Sequence, residues 1–543
     1  MILHILRKDW TLLWPVVVLV AALRALAEWA VYGPGLFGDE LPWAMGSDLL
    51  GNAAAVGWVV LVAAVVHQEP LSGTREDWLI RPIARWQLLC AKLLFLALMV
   101  HAPIVLVGFV GAMASGFPPG ASFMASVARA GSNFAVYTLA MFALASVTRN
   151  LTQLLVSGAG LVLLVSAAQL VWGGLSGDWD GTVSGSGYAW TGEFARALLV
   201  CLCAMIVIGL QYFRRGAIAW SYAVVILGTV LPVGLAYLPW DVTLAAQQSV
   251  SRGAPAARVT LEADTSGRAA ESEGRARLIS ATSPTVDEDA TAGAIRAARR
   301  RLAGVGPDEL ALQGVPHAED EDASIAVPLV VSGLAPGAIL WADRADARLI
   351  DAGGREVFSG AAEELQIRGA PGVTEARQIL RVPLHVYAEH AHRDLRLEID
   401  YTFTLLTRDL SAVLRPNGGE TMLPDGMKCG TRLVREMRPA VRFRCLTVAK
   451  PPSCFSVALL NNAGTRRAPE LAVCNPDYAP YRRGSHLFRR FGIDIPLSHV
   501  GPEYARRSIL EDRVLSFVTY EARAHFTRRL VIPALRPGEW RGR

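Results

Sequence analysis

The chain has 543 residues, of which 52% are hydrophobic and 19% are charged, and its net charge is +5 at pH 7. A soluble globular chain averages about 25% charged residues, so this composition excludes a protein that is soluble throughout. The basic residues form no stripe or patch, and we therefore expect no nucleic-acid partner. The apolar excess lies before about residue 240, which predicts a transmembrane, permease-like domain over residues 1–240.

Seven apolar runs in this domain are candidates for membrane-spanning helices, because a helix needs about 20 mostly apolar residues to cross the hydrocarbon core. They are Leu12–Tyr32, Gly51–Val66, Leu88–Ala114, Ala125–Val147, Leu151–Trp172, Ala195–Phe213 and Ala217–Leu238. The second run is short for a span, and Pro103 is expected to kink the third. The first run lacks a small-x-small cleavage site and carries charged residues, which indicates a retained span instead of a signal peptide.

Two charged residues, Arg24 and Glu28, lie four positions apart on one face of the first run. Charges in hydrocarbon are costly and usually face the bundle interior or water. The pair is therefore interpreted either as a mutual ion pair that stabilises the bundle or as part of a polar substrate path. A third alternative places Glu28 at the outer interface.

The Lys/Arg bias of the short loops predicts a cytoplasmic N-terminus. With that orientation the cytoplasmic segments hold Arg7, Lys8, Arg75, Arg81, Arg85, Arg149, Arg214 and Arg215. The outside loops, Gly33–Leu50, Ser115–Met124 and Gly173–Phe194, contain no Lys or Arg, and the exceptions Arg129 and Arg196 lie just inside span starts. Seven spans then place everything after Leu238 outside the cytoplasm, and we expect a bacterial inner membrane.

The polar segment "HQEPLSGTREDWLIRPIARWQLLCAK" (His67–Lys92) lies between the second and third runs. It predicts a short amphipathic helix at the membrane surface, with Thr74 as a possible N-cap and Asp77 at the N3 position. Arg85 and Lys92 flank the entry to the third run, where long cationic side chains are expected to reach the lipid headgroups.

This segment resembles the corresponding stretch of permease subunits of ABC transporters of the type 2 exporter class. The matching residues are Glu69, Gly73, Thr74, Trp78, Arg81, Pro82, Arg85 and Lys92, and Arg75 and Asp77 would add polar contacts. "LRKDWTLLWP" (Leu6–Pro15) is similar to that family's N-terminal interfacial helix, and the resemblance covers roughly residues 1–215. It implies that the segment is a coupling helix that docks on a separate cytoplasmic ATP-binding subunit, and that the permease acts as a homodimer or heterodimer. The alternative is a positive-inside loop with no docking role.

Two features depart from that family. The family usually has six spans with both ends in the cytoplasm, whereas this chain adds a seventh run and a large outer domain, so no substrate can be carried over. The chain also lacks the G-x-x-x-x-G-K-[ST] phosphate-binding loop. ATP hydrolysis is therefore expected in a separate subunit, and no catalytic residue, cofactor or metal is predicted in this chain. The alternative function is a membrane-anchored extracytoplasmic binding or sensing protein without transport activity.

Four of the seven cysteines, Cys429, Cys445, Cys454 and Cys474, lie close together in the second half of the chain. An even, close-set group suits two disulfides in an oxidising compartment, and three pairings are possible. The alternatives are buried free thiols or, less compatible with the absence of a C-x-x-C pair, a zinc site.

The second half predicts a polar, partly helical linker over residues 241–323, followed by a mainly-β, sandwich-like extracytoplasmic domain over residues 324–543. Segment Gln378–Leu406 predicts a β-hairpin. Its polar turn contains "HVYAEHAH", in which His385 and Glu389 share one strand face and the other histidines do not, so a metal site is not favoured. Further strands are predicted at "SIAVPLVVSG", "AILWADRADARLI" and "REVFSG", and near Ala440–Val448, Ser456–Leu460 and Val514–Val531. The expected fold is thus a bundle of about seven transmembrane helices followed by this β-rich domain.

Overall fold

The structure is a computed structural model of the full chain. It describes residues 1–32, 36, 41–68, 84–176, 187–214, 217–235, 238–251, 258–264, 322–370, 374–416, 418–434, 440–461, 471–474, 478–479, 487–496 and 513–540.

The described part of the first 250 residues is mainly helical. They are α1 (Ile2–Tyr32), α2 (Leu41–His67), α3 (Arg85–Leu96), α4 (Ala102–Ala114), α5 (Pro119–Asn133), α6 (Leu139–Val147), α7 (Leu151–Ser176), α8 (Ala189–Phe213), α9 (Ile218–Gly234) and α10 (Trp240–Val250). A π-helical turn, Ala97–His101, joins α3 to α4, and a second, Phe134–Thr138, joins α5 to α6.

Among the described residues, six helical segments are long and apolar enough to cross a membrane: α1, α2, α3–α4, α5–α6, α7 and α8. They are called the first to sixth spans below. Helix α9 is also apolar but has 17 residues, and at 1.5 Å per residue it is about 26 Å long, slightly less than the hydrocarbon core. Six of the predicted segments are therefore helices with the length and apolar composition of membrane spans, and the seventh is a shorter apolar helix.

Pro103 and Pro15 have different effects on the helices that contain them. Pro103 stands in the first turn of α4, directly after the first π-turn. A proline removes a hydrogen bond and clashes with the preceding turn, and the wider π-turn accommodates this. By contrast, Pro15 lies inside the continuous helix α1. Leu6–Pro15 is thus helical as part of α1, since a transmembrane helix tolerates an internal proline.

The strands among the described residues form three antiparallel sheets. They are β1 (Thr260–Ala263), β2 (Asp322–Ser332), β3 (Ile339–Ile350), β4 (Glu356–Ala361), β5 (Gln366–Arg368), β6 (Thr374–Pro383), β7 (Leu395–Leu414), β8 (Gly419–Met422), β9 (Lys428–Val434), β10 (Ala440–Thr447), β11 (Cys454–Asn461), β12 (Leu471–Cys474), β13 (Arg489–Pro496) and β14 (Arg513–Leu535). The three-stranded sheet has the order β1-β2-β6 and the four-stranded sheet β13-β10-β9-β8. The seven-stranded sheet has the order β12-β11-β14-β7-β3-β4, with β5 paired to β3.

The seven-stranded sheet packs against both smaller sheets. Ile399 and Phe403 on β7 share a core with Ile325 on β2, whereas Phe517 on β14 shares another with Phe443 on β10. Irregularities in the β7–β14 pairing, between Val518/Tyr520 and Ala522/Ala524, shift the alternation by one residue at each point. Both smaller sheets therefore cover the same face of the large sheet. The middle of its other face lies against the helical half.

The hairpin predicted over residues 378–406 is wrong. Strand β6 pairs with β2, whereas β7 pairs with β3 and β14 in another sheet. The predicted turn contains helix α11 (Leu384–His390), which starts after Pro383, a residue that cannot donate to a strand ladder. His385 and Glu389 thus lie on a helix and not on a strand face. Within the part of the chain that the structure describes, no group of three His, Cys, Asp or Glu residues is placed to hold a metal ion.

The segment predicted as a linker, residues 241–323, contains elements that pack or pair with the β region. Helix α10 packs against β14, and Thr260 of β1 pairs with Ser332 of β2. The helical pattern expected at residues 292–306 lies outside the described residues.

The four clustered cysteines form two disulfides, as predicted. Cys429–Cys445 joins β9 to β10, and Cys454–Cys474 joins β11 to β12. In each pair the cysteines are opposite one another in the strand register. The register of the sheets therefore selects one pairing among the three that the sequence allows.

Candidate functional site

The coupling segment is described only at its two ends. Glu69, Gly73, Thr74, Arg75, Asp77, Trp78, Arg81 and Pro82 lie outside the described residues. The amphipathic helix with its Thr74/Asp77 cap therefore remains a prediction. His67 ends α2, Arg85 begins α3, and Lys92 lies further along α3.

The described ends of the segment contact the C-terminal ends of other helices. His67 Nε2 lies 3.1 Å from the Ala145 carbonyl oxygen and 3.1 Å from Thr148 Oγ1, at the end of α6. Arg85 Nη1 donates to the Tyr212 carbonyl oxygen, 3.4 Å away, in the last turn of α8. The last carbonyl groups of a helix lack intrahelical partners and carry partial negative charge. These contacts therefore stabilise the helix ends and attach them to the segment.

The expectation that Lys92 reaches the lipid headgroups is wrong. Lys92 is fully buried, and its Nζ donates to the Val65 carbonyl oxygen in the last turn of α2. The physical reason is again the helix end, where an unpaired carbonyl group inside the bundle offers a better partner than lipid. Together, the segment's ends contact the second, fourth and sixth spans.

A charged cluster lies inside the helical bundle. Glu28 Oε1 lies 3.0 Å from Arg24 Nη2 and accepts a hydrogen bond from Arg129 Nη1 at 2.8 Å. The side chains of Glu28 and Arg129 are 4% and 5% exposed, and that of Arg24 is 23% exposed. The sequence indicated the first pair but not the third member, although Arg129 was already conspicuous as a cation inside a span.

A buried polar network joins the β region to the helical half. Asp343 Oδ2 accepts hydrogen bonds from Tyr188 at 2.9 Å and Thr404 at 2.5 Å, and Oδ1 accepts one from Tyr478 at 2.5 Å. Tyr188 directly precedes α8, while Asp343 and Thr404 lie on β3 and β7. A Cβ at Gly187 would overlap the Tyr478 ring, so glycine is required for this close approach.

The network continues through His525 to α10. His525 Nδ1 lies 2.7 Å from Thr404 Oγ1, and Nε2 lies 3.1 Å from Gln247 Nε2. Gln247 Oε1 accepts a hydrogen bond from the Trp190 indole at 2.6 Å. One proton assignment satisfies the bonds to Asp343, the His525–Thr404 bond and the His525–Gln247 bond: Asp343 is ionised, and neutral His525 donates from Nδ1 and accepts at Nε2. The network therefore connects the start of the sixth span and α10 to the centre of the large sheet.

Burial sets the charge state of this network. It raises the pKa of Asp343 to about 7, against the effect of the hydrogen bonds from Thr404, Tyr478 and Tyr188. Burial also lowers the pKa of His525 to about 4, and Lys450 adds to this effect, so the imidazole is neutral at pH 7. Asp343 as a whole residue keeps intermediate exposure, but its carboxylate is enclosed by the three hydroxyl groups. Its charge is consequently sensitive to pH near neutrality.

A second contact joins the two halves of the molecule. Phe117, in the turn between the third and fourth spans, packs against Phe488 with ring centroids 5.3 Å apart. Leu36 and Leu446 belong to the same buried cluster. Leu36, Phe117 and Tyr188 come from the three loops for which the sequence predicts a position outside the cytoplasm. All three loops therefore contribute to buried clusters that include residues of the β region.

Comparisons with known proteins give no assignment. The sequence matches no model of a known protein family and no curated protein. Among solved structures, one match is the crystal structure of red sea bream transglutaminase, with 9% sequence identity and a TM-score of 0.11. The match covers 41% of this chain and spans about a third (32%) of that chain. At that TM-score it carries no argument about fold or function.

Proposed function

We propose that this chain is the membrane-spanning subunit of an ABC-type transporter, acting as an exporter and driven by a separate cytoplasmic ATPase that docks on residues 67–92. The observation that carries the proposal is the set of contacts at the ends of this segment. His67, Arg85 and Lys92 are bonded to the C-terminal ends of the fourth, sixth and second spans, respectively. A displacement of the segment by an ATPase would therefore move several spans together. The subunit would act as a homodimer or as a heterodimer with a second permease.

The proposed topology has seven spans, with α9 as the last, a cytoplasmic N-terminus and a sandwich-like β domain outside the cytoplasm. The loops that contain Leu36, Phe117 and Tyr188 support it, because they lack Lys and Arg and share buried clusters with the β region. The two disulfides also favour an oxidising compartment for this domain. A reporter that is active only outside the cytoplasm, fused after Arg543, tests the topology. An inactive fusion together with an active cytoplasmic reporter at the same position contradicts it.

The coupling proposal is tested by substitutions on and beside the segment. An interface hot spot is typically an Arg or aromatic residue whose truncation costs about 2 kcal/mol or more, roughly a 30-fold loss of affinity. We therefore expect Arg81→Ala and Asp77→Lys to weaken association with the ATPase. Arg85→Ala should leave association largely intact but lower transport-coupled ATP hydrolysis, because it removes the contact with α8. The matched control is Arg149→Ala, on another cytoplasmic loop.

The measurements are co-purification of an ATPase, identified by the sequence of its phosphate-binding loop, and its hydrolysis rate in nanodiscs. Equal association and equal rates for all variants would reduce residues 67–92 to a topology signal.

A membrane-anchored binding or sensing protein is the second candidate. The network around Asp343 favours it, because it connects the β region directly to the sixth span and can carry a change in the outer domain to the helices. The absence of any ATPase in preparations of the purified protein would favour this function.

A further inference from the structure

A cavity of about 300 Å³ lies among the first four spans. Its polar lining includes Arg24, His101, Asn133 and Tyr137, and Trp58 adds an indole. His101 is about 20 Å along its span from Ala114, so the cavity lies near the middle of the helices. Its volume is at the lower end of the range for ligand pockets.

Hydrogen-bond donors dominate the polar wall. Arg24 and Trp58 offer only donors, and Asn133 and Tyr137 can also donate. No carboxylate side chain among the described residues is part of the lining. Glu28, which contacts Arg24, lies outside the wall. A ligand group that fits this wall must therefore supply acceptors, and a negative charge suits the guanidinium group best.

An apolar groove of about 620 Å³ lies on the other side of His101, between the third and fourth spans. Its wall is almost entirely hydrocarbon and includes Leu106, Phe109, Phe123 and Val127. Leu106 and Phe123 are exposed on the outside of the bundle, so the groove is open to the surroundings of the helices. In a membrane those surroundings are acyl chains.

His101 separates the cavity from the groove and lines both. Its Nε2 lies 2.8 Å from Thr138 Oγ1, and its ring meets Phe134 edge-on at 5.3 Å. The residue is 6% exposed, and its Nδ1 has no hydrogen-bond partner among the described residues. Both π-turns meet at this contact, since His101 ends the first and Phe134 and Thr138 bound the second. Such turns are rare and frequently mark functional sites.

We propose that the cavity and the groove together bind an anionic amphiphile, with its acidic group at Arg24 and its hydrocarbon chain in the groove. His101 lies at the boundary between the two. In naming a cargo class for the transporter, this inference rests on the proposed function. Binding itself requires no ATPase.

The experiment measures binding of spin-labelled stearate to the full-length chain in nanodiscs of a zwitterionic lipid, from the immobilised fraction of the electron spin resonance spectrum. Two further probes carry the same labelled chain with a hydroxyl or a trimethylammonium group. Spin-labelled phosphatidylglycerol in a parallel sample distinguishes a single-chain acid from an anionic phospholipid. We expect the ionised acid to bind at least about tenfold more tightly than the cationic probe, equivalent to about 1.4 kcal/mol.

Two glycines provide matched variants. A Cβ at Gly131, in the groove wall, or at Gly111, outside both walls, would have no atom within 4 Å, so the first atom of a leucine side chain is accommodated at either position. Gly131→Leu should fill the groove and lower binding of the acid about tenfold, that is by about 1.4 kcal/mol, whereas Gly111→Leu should not change it. Arg24→Gln should remove the preference for the acid over the alcohol.

The proposal is overturned if the three head groups bind equally to the wild-type chain, or if Gly131→Leu and Gly111→Leu behave alike. Either result would mean that the probe contacts only the lipid-facing surface. Since no ATPase is present in these samples, failure of the coupling proposal leaves this result unaffected, and the reverse also holds.

Discussion

The Tyr188 hydroxyl bonds the start of the sixth span to the β region, and Tyr188→Phe tests how strongly. The substitution keeps the ring contacts with Trp240 and Tyr478, at 5.0 and 5.3 Å between centroids, and removes the donor to Asp343. A hydrogen bond to a charged group contributes about 1.5–3 kcal/mol. We therefore expect the free energy of unfolding to fall by about 2 kcal/mol. A loss of about 1 kcal/mol lowers the Tm of a domain of about 150–250 residues by about 2–4 °C. The Tm of the β region should therefore fall by about 4–8 °C.

The matched control is Tyr520→Phe. Tyr520 is 1% exposed and belongs to the same buried cluster as Tyr188. Its hydroxyl lies 3.5 Å from Ser456 Oγ, at the limit for a hydrogen bond, so its loss should cost less than about 1 kcal/mol. The assay is thermal unfolding of the full chain in detergent, followed by tryptophan fluorescence.

The Tyr188→Phe deficit should also depend on pH. Burial raises the pKa of Asp343 to about 7, so the carboxyl group is protonated at pH 5. Hydrogen bonds to a neutral group are roughly half as strong as those to an ionised one, and the deficit should shrink accordingly. Equal Tm values for the two variants, or a deficit that is the same at pH 5 and pH 8, would refute this account of the network.

Three further perturbations give expected outcomes. Burial raises the folded-state pKa of Asp343 to about 7 from 3.8. Between these pH values the folded state therefore binds more protons than the unfolded state, and stability should fall as pH rises through this window. In thermal unfolding, Asp343→Asn should flatten this part of the dependence of Tm on pH. Glu28→Ala should cost about 3–5 kcal/mol, because it removes a carboxylate partner from the buried Arg129 guanidinium group. Arg24→Gln, at a side chain that is 23% exposed, should cost less, and equal losses of Tm in detergent would contradict this ranking. Cys454→Ser opens a disulfide with a sequence separation of 20 and should lower the free energy of unfolding by about 3 kcal/mol. Two results would argue against the bridge: a variant as stable as the oxidised wild-type protein, or a reductant that lowers the stability of the variant as much as it lowers that of the wild-type protein.

Local patterns in the sequence were sufficient to locate most helices and strands. The predicted run Leu151–Trp172 lies within α7, and the strand expected near Ala440–Val448 is β10. Both predictions used only the hydrophobic residues within one segment, because the length and periodicity of such a segment indicate which of its faces are buried. Long-range pairing is not recorded in this way. The alternation over Gln378–Leu406 identified two strands but not their partners, which lie elsewhere in the chain.

The candidate sites show the same division. The polar segment at 67–92 is contiguous, so its composition alone distinguished it in the sequence. Asp343, Thr404 and His525 are single polar residues on separate strands, and only the register of β3, β7 and β14 brings them together. Polar residues at positions that alternate with a buried apolar face were the available signal. Nothing local to any one of them indicates the others.

Among the described residues, two buried clusters join the β region to the helical half, and they limit how the chain can change shape. One contact, at Phe117 and Phe488, holds the turn between the third and fourth spans. The other, at Tyr188 and Asp343, holds the start of the sixth span. The first contact adjoins β13 of the four-stranded sheet, the second lies on β3 of the seven-stranded sheet, and the two sheets share a hydrophobic core. A close-packed core resists deformation, so these helix ends keep a fixed separation and lose a degree of freedom relative to one another. In a dimeric transporter built in this way, an outward-facing opening has to form along the boundary between subunits and not by parting the helices within one.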